Sequence, residues 1–228
     1  LLASIFDKST LEVKLRAAWA LGRTGAAQAV DPLAKLAAHP SQKLRMVAVD
    51  ALGSLPAEAR AGQLERFVAD RSPAIRRRLV ELYGAEKSAE ALETLTALTK
   101  DPDSTVRTAV VAALVDHPNA TASVLEPLLT DKVDAVRAEA SRGMVDRIPD
   151  EGRLKLLQTR DRIVRTAAFD RLLETPDVSV SVFQAMADDP GVEVRQKALA
   201  RIRTGDGQEA TEAALAFLID ANDQIQLQ

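Results

Sequence analysis

Six arginines recur along the chain at nearly constant intervals: Arg45, Arg76, Arg107, Arg137, Arg165 and Arg195, separated by 31, 31, 30, 28 and 30 residues. A row of guanidinium groups at fixed spacing is the chemistry of an anion track, because each planar fork can take a carboxylate or phosphate in two hydrogen bonds. The same spacing also supports a quieter use. Asp70, Asp101, Asp131 and Asp189 each stand six residues before one of these arginines, so Asp–Arg pairs can tie each turn to the helix that follows. The ladder is therefore read as structural.

The remaining chemistry is sparse. His39 and His117 are the only histidines, each followed by a proline, and the chain has no cysteine. Two histidines on one helix face, as in zinc proteases, are absent, and no His-Glu dipeptide occurs. No base stands beside a candidate nucleophile in the sequence. Gly205-Asp206-Gly207 lacks the strand and further glycine of a dinucleotide loop and reads as a turn. Catalytic, cofactor-binding and metal-ligating residues are accordingly expected to be none. The basic clusters Arg71, Arg76, Arg77, Arg78 and Arg160, Arg162, Arg165 are interleaved with acids, and the net charge is −3. Nucleic-acid affinity rests on phosphate neutralisation and stacking, so these read as solvated faces and nucleic acid is disfavoured as a partner.

What must position these residues is a repeated helix pair. Residues 101–114 read DPDSTVRTAVVAAL, a capped turn followed by an apolar stripe through Val106, Val110 and Leu114 at helical spacing. An aliphatic–polar pair opens the same phrase at Val13-Lys14, Leu44-Arg45, Ile75-Arg76, Val136-Arg137, Val164-Arg165 and Val194-Arg195, and again at Ile225-Gln226. A period near 30 residues marks a repeat array. Each repeat divides into a first helix, A, carrying the pair, and a second, B, with stripes such as Leu92, Leu95 and Leu98. The glycines of Gly22-Arg23-Thr24-Gly25, where the first A helix ends, suit a left-handed stop, and Gly53 and Gly84 stand at the corresponding places of the next two repeats. The core columns are the residue before the polar member, the residue three after it, and the large one seven after it: Leu21, Leu52, Tyr83, Leu114, Met144, Leu172 and Ile202. Aromatic residues make up only 3% of the chain, which fits closely packed helices better than sheets.

The phrases Asp101-Pro102-Asp103-Ser104-Thr105-Val106-Arg107, Ala17-Ala18-Trp19-Ala20-Leu21-Gly22 and Ala29-Val30-Asp31-Pro32-Leu33 resemble the short HEAT-like repeats of the phycobilin-lyase type. The resemblance covers essentially the whole chain. It implies an all-α solenoid of about seven stacked helix-turn-helix repeats, with the B helices on the concave side. The chain is expected to be one array, 1–228. In it 1–8 is the end of a truncated repeat, 9–221 holds seven repeats, and 222–228 starts an eighth, as in a piece of a longer protein. Repeat six is the shortest, and Thr159-Arg160-Asp161 stands where its neighbours have the capping Asp.

The expected function is a non-enzymatic scaffold that binds another protein or peptide, as an accessory region of a larger bacterial protein. The candidate contact face is the outward side of the B helices: Lys35, Glu65, Arg66, Glu93, Thr96, Glu126, Lys155 and Gln158. A phycobilin lyase or chaperone-like subunit holding a tetrapyrrole, and a nucleic-acid-binding module, are the alternatives. No apolar run approaches the roughly 20 residues that span a bilayer, so no membrane insertion is expected, and the compartment expected is the cytoplasm. Trp19 fills a column otherwise held by Asp50, Glu81, Ala112, Arg142, Asp170 and Ala200. It is expected to be partly exposed, against a partner or a preceding repeat.

Overall fold

A helix begins only where its free N–H groups find acceptors, and the short polar turns of this chain supply them. Asp103 accepts from the Thr105 N–H at 2.9 Å. Asp161 accepts from Ile163 and Val164 at 2.8 and 3.3 Å, and Ser88 Oγ accepts from Ala91 at 3.0 Å. The computed structural model describes residues 9–174, 180–187 and 189–204. Among them the secondary structure is helical throughout, with no strand. The reading of 1–8, the loop 205–207, the second helix of repeat seven around Leu215, Phe217, Leu218 and Ile219, and the eighth phrase lie outside the described residues.

Long A helices alternate with shorter B segments, in two units bounded as Leu1–Ala120 and Thr121–Gln228. In the first unit the A helices are α1 (Leu11–Thr24), α3 (Gln42–Gly53), α5 (Pro73–Glu86) and α7 (Ser104–Val115). Between them stand α2 (Val30–Lys35), α4 (Ala57–Arg60) with the 3-10 turn Leu64–Phe67, and α6 (Ala89–Leu98). Successive A helices pack side by side, α1 on α3, α3 on α5 and α5 on α7, with the B segments against one flank. The second unit repeats the plan. Its A helices are α9 (Asp134–Val145), α11 (Arg162–Leu173) and α13 (Val192–Thr204). Its B segments are α8 (Ala122–Leu125) with the 3-10 turn Glu126–Thr130, α10 (Asp150–Leu156) and α12 (Val180–Ala187).

The core follows the sequence columns. Leu44, Ile75, Val106, Val136, Val164 and Val194 are buried, as are Leu52, Tyr83, Leu114, Leu172 and Ile202. Burial pushes the Tyr83 phenol up to about 12. Two members depart. Val13 is 46% exposed, because α1 has an A-helix neighbour on one flank only among the described residues. Met144 is half-buried, and Val145 beside it takes the buried place.

The B segments are less regular than their leucine stripes predict. Only α6 is a continuous helix of ten residues; α2 has six, framed by the 3-10 turns Ala27–Ala29 and Leu36–Ala38. Pro127 has no N–H for the carbonyl one turn back, and around it, over Glu126–Thr130, the backbone takes the tighter 3-10 form.

The glycines match the expected stop at Gly25 alone. Gly22 and Gly84 lie inside their helices and Gly53 is the last residue of its helix, so none of the three is a left-handed stop. The left-handed stop of α1 is Gly25, with φ of 63°, and that of α5 is Lys87, with φ of 56°. Gly22 serves close approach instead: a Cβ there would sit 2.7 Å from the Ala51 Cα of the next A helix. At Gly84 the equivalent contact is Ala113, at 3.0 Å.

Gly22→Ala should therefore lower the melting temperature although alanine is the better helix former, with a cost of about 1–3 kcal/mol from overpacking against backbone. Thermal unfolding followed by far-ultraviolet circular dichroism checks it. A variant as stable as the parent would mean that α1 and α3 are not in that contact.

Candidate functional site

The arginine ladder points inward. Arg45, Arg76 and Arg165 are buried, and each guanidinium holds two successive turns at once. Toward its own turn, one Nη donates to the carbonyl six residues earlier: Arg45 to His39, Arg76 to Asp70, Arg107 to Asp101, Arg137 to Asp131, Arg165 to Thr159 and Arg195 to Asp189, at 2.5–2.9 Å. Toward the next turn it binds a carboxylate 24 or 25 residues on. Arg45 Nε and Nη2 donate to Asp70 at 2.6 and 3.1 Å. Arg76 donates to Asp101 at 2.6 and 2.8 Å, and Arg165 to Asp189 at 2.6 and 3.2 Å. The hydrogen bonds to Asp101 hold the Arg76 guanidinium above its ordinary pKa.

The partner assignment thus differs from the simplest reading of the six-residue spacing. Within a repeat the aspartate offers its backbone carbonyl to the arginine six residues later. Its carboxylate goes to the arginine of the preceding repeat, and one oxygen also accepts the N–H two residues on, as from Ser72 to Asp70 and from Asp103 to Asp101 at 2.8 Å. Guanidinium groups buried and saturated in this way cannot form an anion track.

Repeat six shows how strictly the clamp is kept. Thr159 occupies the aspartate column, and the carboxylate comes from Asp161 two residues later. Arg137 Nε lies 2.6 Å from Asp161 Oδ2, off the line of its N–H, as an ion pair. These side chains are 17% and 29% exposed, against 4% and 3% for Arg45 and Asp70. Asp161 is the member of the ladder that column reasoning missed; its proximity to the helix start was the available signal.

At the first turn the clamp is absent. Lys14 replaces the arginine and His39 stands in the aspartate column. His39 Nδ1 accepts from the Ser41 N–H at 3.0 Å, copying the bond that Asp70 makes. Its Coulombic neighbours are the cations Lys14 and Arg45, and partial burial together with these two holds its pKa below the ordinary value. His117 is buried; its Nδ1 accepts from Asn119 N–H at 3.2 Å, and its Nε2 lies 3.2 Å from the Ser88 carbonyl. No group of three or more His, Asp or Glu side chains is arranged to hold a metal ion among the described residues.

All eight candidate contact residues lie exposed: Lys35, Glu65, Arg66, Glu93 and Thr96 in the first unit, and Glu126, Lys155 and Gln158 in the second. Their polar contacts are local. Arg66 Nε donates to Gln63 at 3.0 Å, Thr96 to the Leu92 carbonyl at 2.7 Å, and Lys155 pairs with Glu151 at 2.9 Å. Of the basic clusters, Arg78 bonds Asp50 at 2.6 Å and Glu81 at 2.9 Å, Arg71 donates to the Pro40 carbonyl, and Arg162 pairs with Glu193. Arg78 and Arg162 thus have their charges paired within the fold. No helix among the described residues is long and apolar enough to cross a membrane.

A family model described as HEAT repeats matches residues 1–69 and 61–144. Among solved structures, the complex of CpcE and CpcF of phycocyanin lyase from Nostoc sp. PCC7120 shares 20% identity. That match covers 95% of this chain and 92% of that one, with a TM-score of 0.48. An engineered protein shares 19% identity over 99% of this chain and 75% of that one, with a TM-score of 0.45. No curated protein matches the chain.

Two outcomes follow from the clamp. Asp101→Ala leaves Arg76 buried without its counter-charge and should cost about 3–5 kcal/mol, whereas the paired exchange Arg76→Met with Asp101→Leu should cost far less. Urea unfolding of the three variants measures both, with Arg66→Glu as a surface control expected within about 0.5 kcal/mol of the parent. At His39 the folded-state pKa lies below the unfolded value near 6.5. As pH falls through that value the unfolded chain gains a proton that the folded chain refuses, so stability drops. His39→Asn should flatten the fall between about pH 7 and 5.5; equal slopes in parent and variant would refute it.

Proposed function

Because this chain belongs to the HEAT-repeat family, we propose that it is a non-enzymatic scaffold that binds another protein or peptide along the exposed side of its B segments. HEAT repeats are helical repeats that mediate protein interactions, and stacked repeats offer long surfaces on which contacts from several repeats add up. The observation that carries the choice of face is a contrast in how polar side chains are used. On the A helices the recurring arginines and aspartates are consumed in ties between repeats. On the B segments Lys35, Glu65, Arg66, Glu93, Thr96, Glu126, Lys155 and Gln158 are exposed, and their contacts are local: Arg66 with Gln63, Thr96 with the Leu92 carbonyl and Lys155 with Glu151. Their identities are free of the packing constraint and available for recognition.

The chemistry of that face favours protein over nucleic acid. In the first unit the cations Lys35 and Arg66 accompany the anions Glu65 and Glu93, and in the second unit Lys155 accompanies Glu126. A phosphate backbone would be repelled as much as attracted, whereas a polypeptide with charges of both signs can be matched residue by residue.

Photo-crosslinking residues placed at Glu93, Thr96 or Lys155 of the full chain in its source cells should trap one recurrent protein. The same residue at Arg142, on the outer side of an A helix, should not. Crosslinks confined to Arg142 would put the partner on the other face, and a trapped nucleic acid would refute the reading.

A further inference from the structure

Large apolar side chains are exposed at three described positions, Leu11, Val13 and Trp19, and all belong to α1. They do not share one cause. Val13 occupies the column that packs inward in every later described repeat. Leu11 and Trp19 sit on another flank, together with Leu15, at i, i+8 and i+4. The direction of that flank is shown by the residues that fill the Trp19 column elsewhere. Asp50 pairs with Arg78 at 2.6 Å and Asp170 with Lys197 at 2.9 Å, so this column reaches toward the following repeat on the outer A-helix surface. Trp19 accordingly lies over the α1–α3 seam and not toward a preceding repeat, and it is still 59% exposed.

That seam is a continuous groove. Leu11 and Leu15 face Lys43, Met46 and Val47 at one end; Trp19 and Arg23 face Val47, Asp50 and Ala51 at the other. Where the next seam, α3 to α5, carries the Asp50–Arg78 ion pair, this one carries a tryptophan and a valine. Its rim is cationic. The Lys43 ammonium stands at one end, and the Arg23 guanidinium lies 4.8 Å over the Trp19 ring at the other. The one lining carboxylate, Asp50, is already neutralised by Arg78.

We propose that the outer groove between α1 and α3 is a docking site for an acidic amphipathic helix of another protein. An apolar helical stripe fits the Leu11–Leu15–Trp19 wall by ridge-into-groove packing, and glutamates or aspartates flanking it meet Lys43 and Arg23. From Leu11 to Arg23 the wall runs about 18 Å, the length of about 12 helical residues. The exposed tryptophan and arginine are the side-chain types that dominate interface energetics. This surface is separate from the B-segment face.

Trp19 is the only tryptophan, so its emission reports on the groove directly. The probe is an amidated peptide of about 14 residues, with leucines at i, i+4 and i+7 spacing and glutamate at the flanking positions; its control replaces glutamate by lysine. The glutamate peptide should shift Trp19 emission to the blue and saturate, while the lysine peptide should leave it unchanged. Lys43→Glu combined with Arg23→Glu should weaken the response at least about tenfold. Both are surface substitutions, checked for folding by circular dichroism. No shift with the glutamate peptide, equal shifts with both peptides, or an unaltered response in the double variant would overturn the proposal. So would a blue shift that grows with protein concentration in the absence of peptide, accompanied by a dimer in sedimentation, which would assign the groove to a second copy.

Discussion

A buried guanidinium must be satisfied on several sides at once, and that requirement organises this protein. Each ladder arginine donates to a carbonyl of its own turn, and Arg45, Arg76, Arg137 and Arg165 also hold a carboxylate of the next. Three of these pairs, at Arg45, Arg76 and Arg165, lie in the interior. In such a place an ion pair adds little net stability over apolar packing, yet its loss on one side is severe. The clamp therefore acts less as glue than as a gauge: it admits only the register that brings a carboxylate 24 or 25 residues downstream into reach. Repeat six has lost residues and the usual aspartate, and it answers by moving the carboxylate to Asp161. The price is a more exposed pair.

Close approach of the A helices follows from the same register. Gly22 against Ala51 and Gly84 against Ala113 leave no room for a side chain, so the helices settle at the separation at which the arginine can reach across. The B segments carry a lighter burden. They close the core with Leu33, Leu64, Phe67, Leu95, Leu125 and Leu128 while tolerating 3-10 turns and proline. The eight exposed side chains of the contact face make local bonds, although Arg60 on α4 does reach Glu86 of the next A helix, and that is the physical basis for reading the face as a contact surface. The α1–α3 seam extends the logic to the outer A-helix surface, where a tie between repeats is replaced by apolar side chains that nothing described in the chain covers.

Much of this was legible in the residues. The period, the aliphatic column from Leu44 to Val194 and the large residues from Leu52 to Ile202 follow from spacing, because a helix that buries one stripe must place its apolar residues about a turn apart. The exposure of the eight B-segment residues was legible for the same reason. Of the two glycines in Gly22-Arg23-Thr24-Gly25, Gly25 is the left-handed stop and Gly22 is not, because the sequence marks a small residue near a helix end without saying whether it serves φ or proximity. Trp19 stood out as an anomaly in its column, but the column's direction appears only in the Asp50–Arg78 and Asp170–Lys197 pairs.

The sequence by itself determined that the chain is a series of helix pairs, which positions face inward, and that arginine and aspartate recur in step. Those properties are periodic along one dimension and need no neighbour to be read. Only the tertiary structure decided which aspartate each arginine holds, why Gly22 must be glycine, and that Leu11, Leu15 and Trp19 line one groove with Met46 and Val47. Each of these joins residues about 25 to 35 positions apart, and such a contact exists only once stacking has set the distance between neighbouring helices.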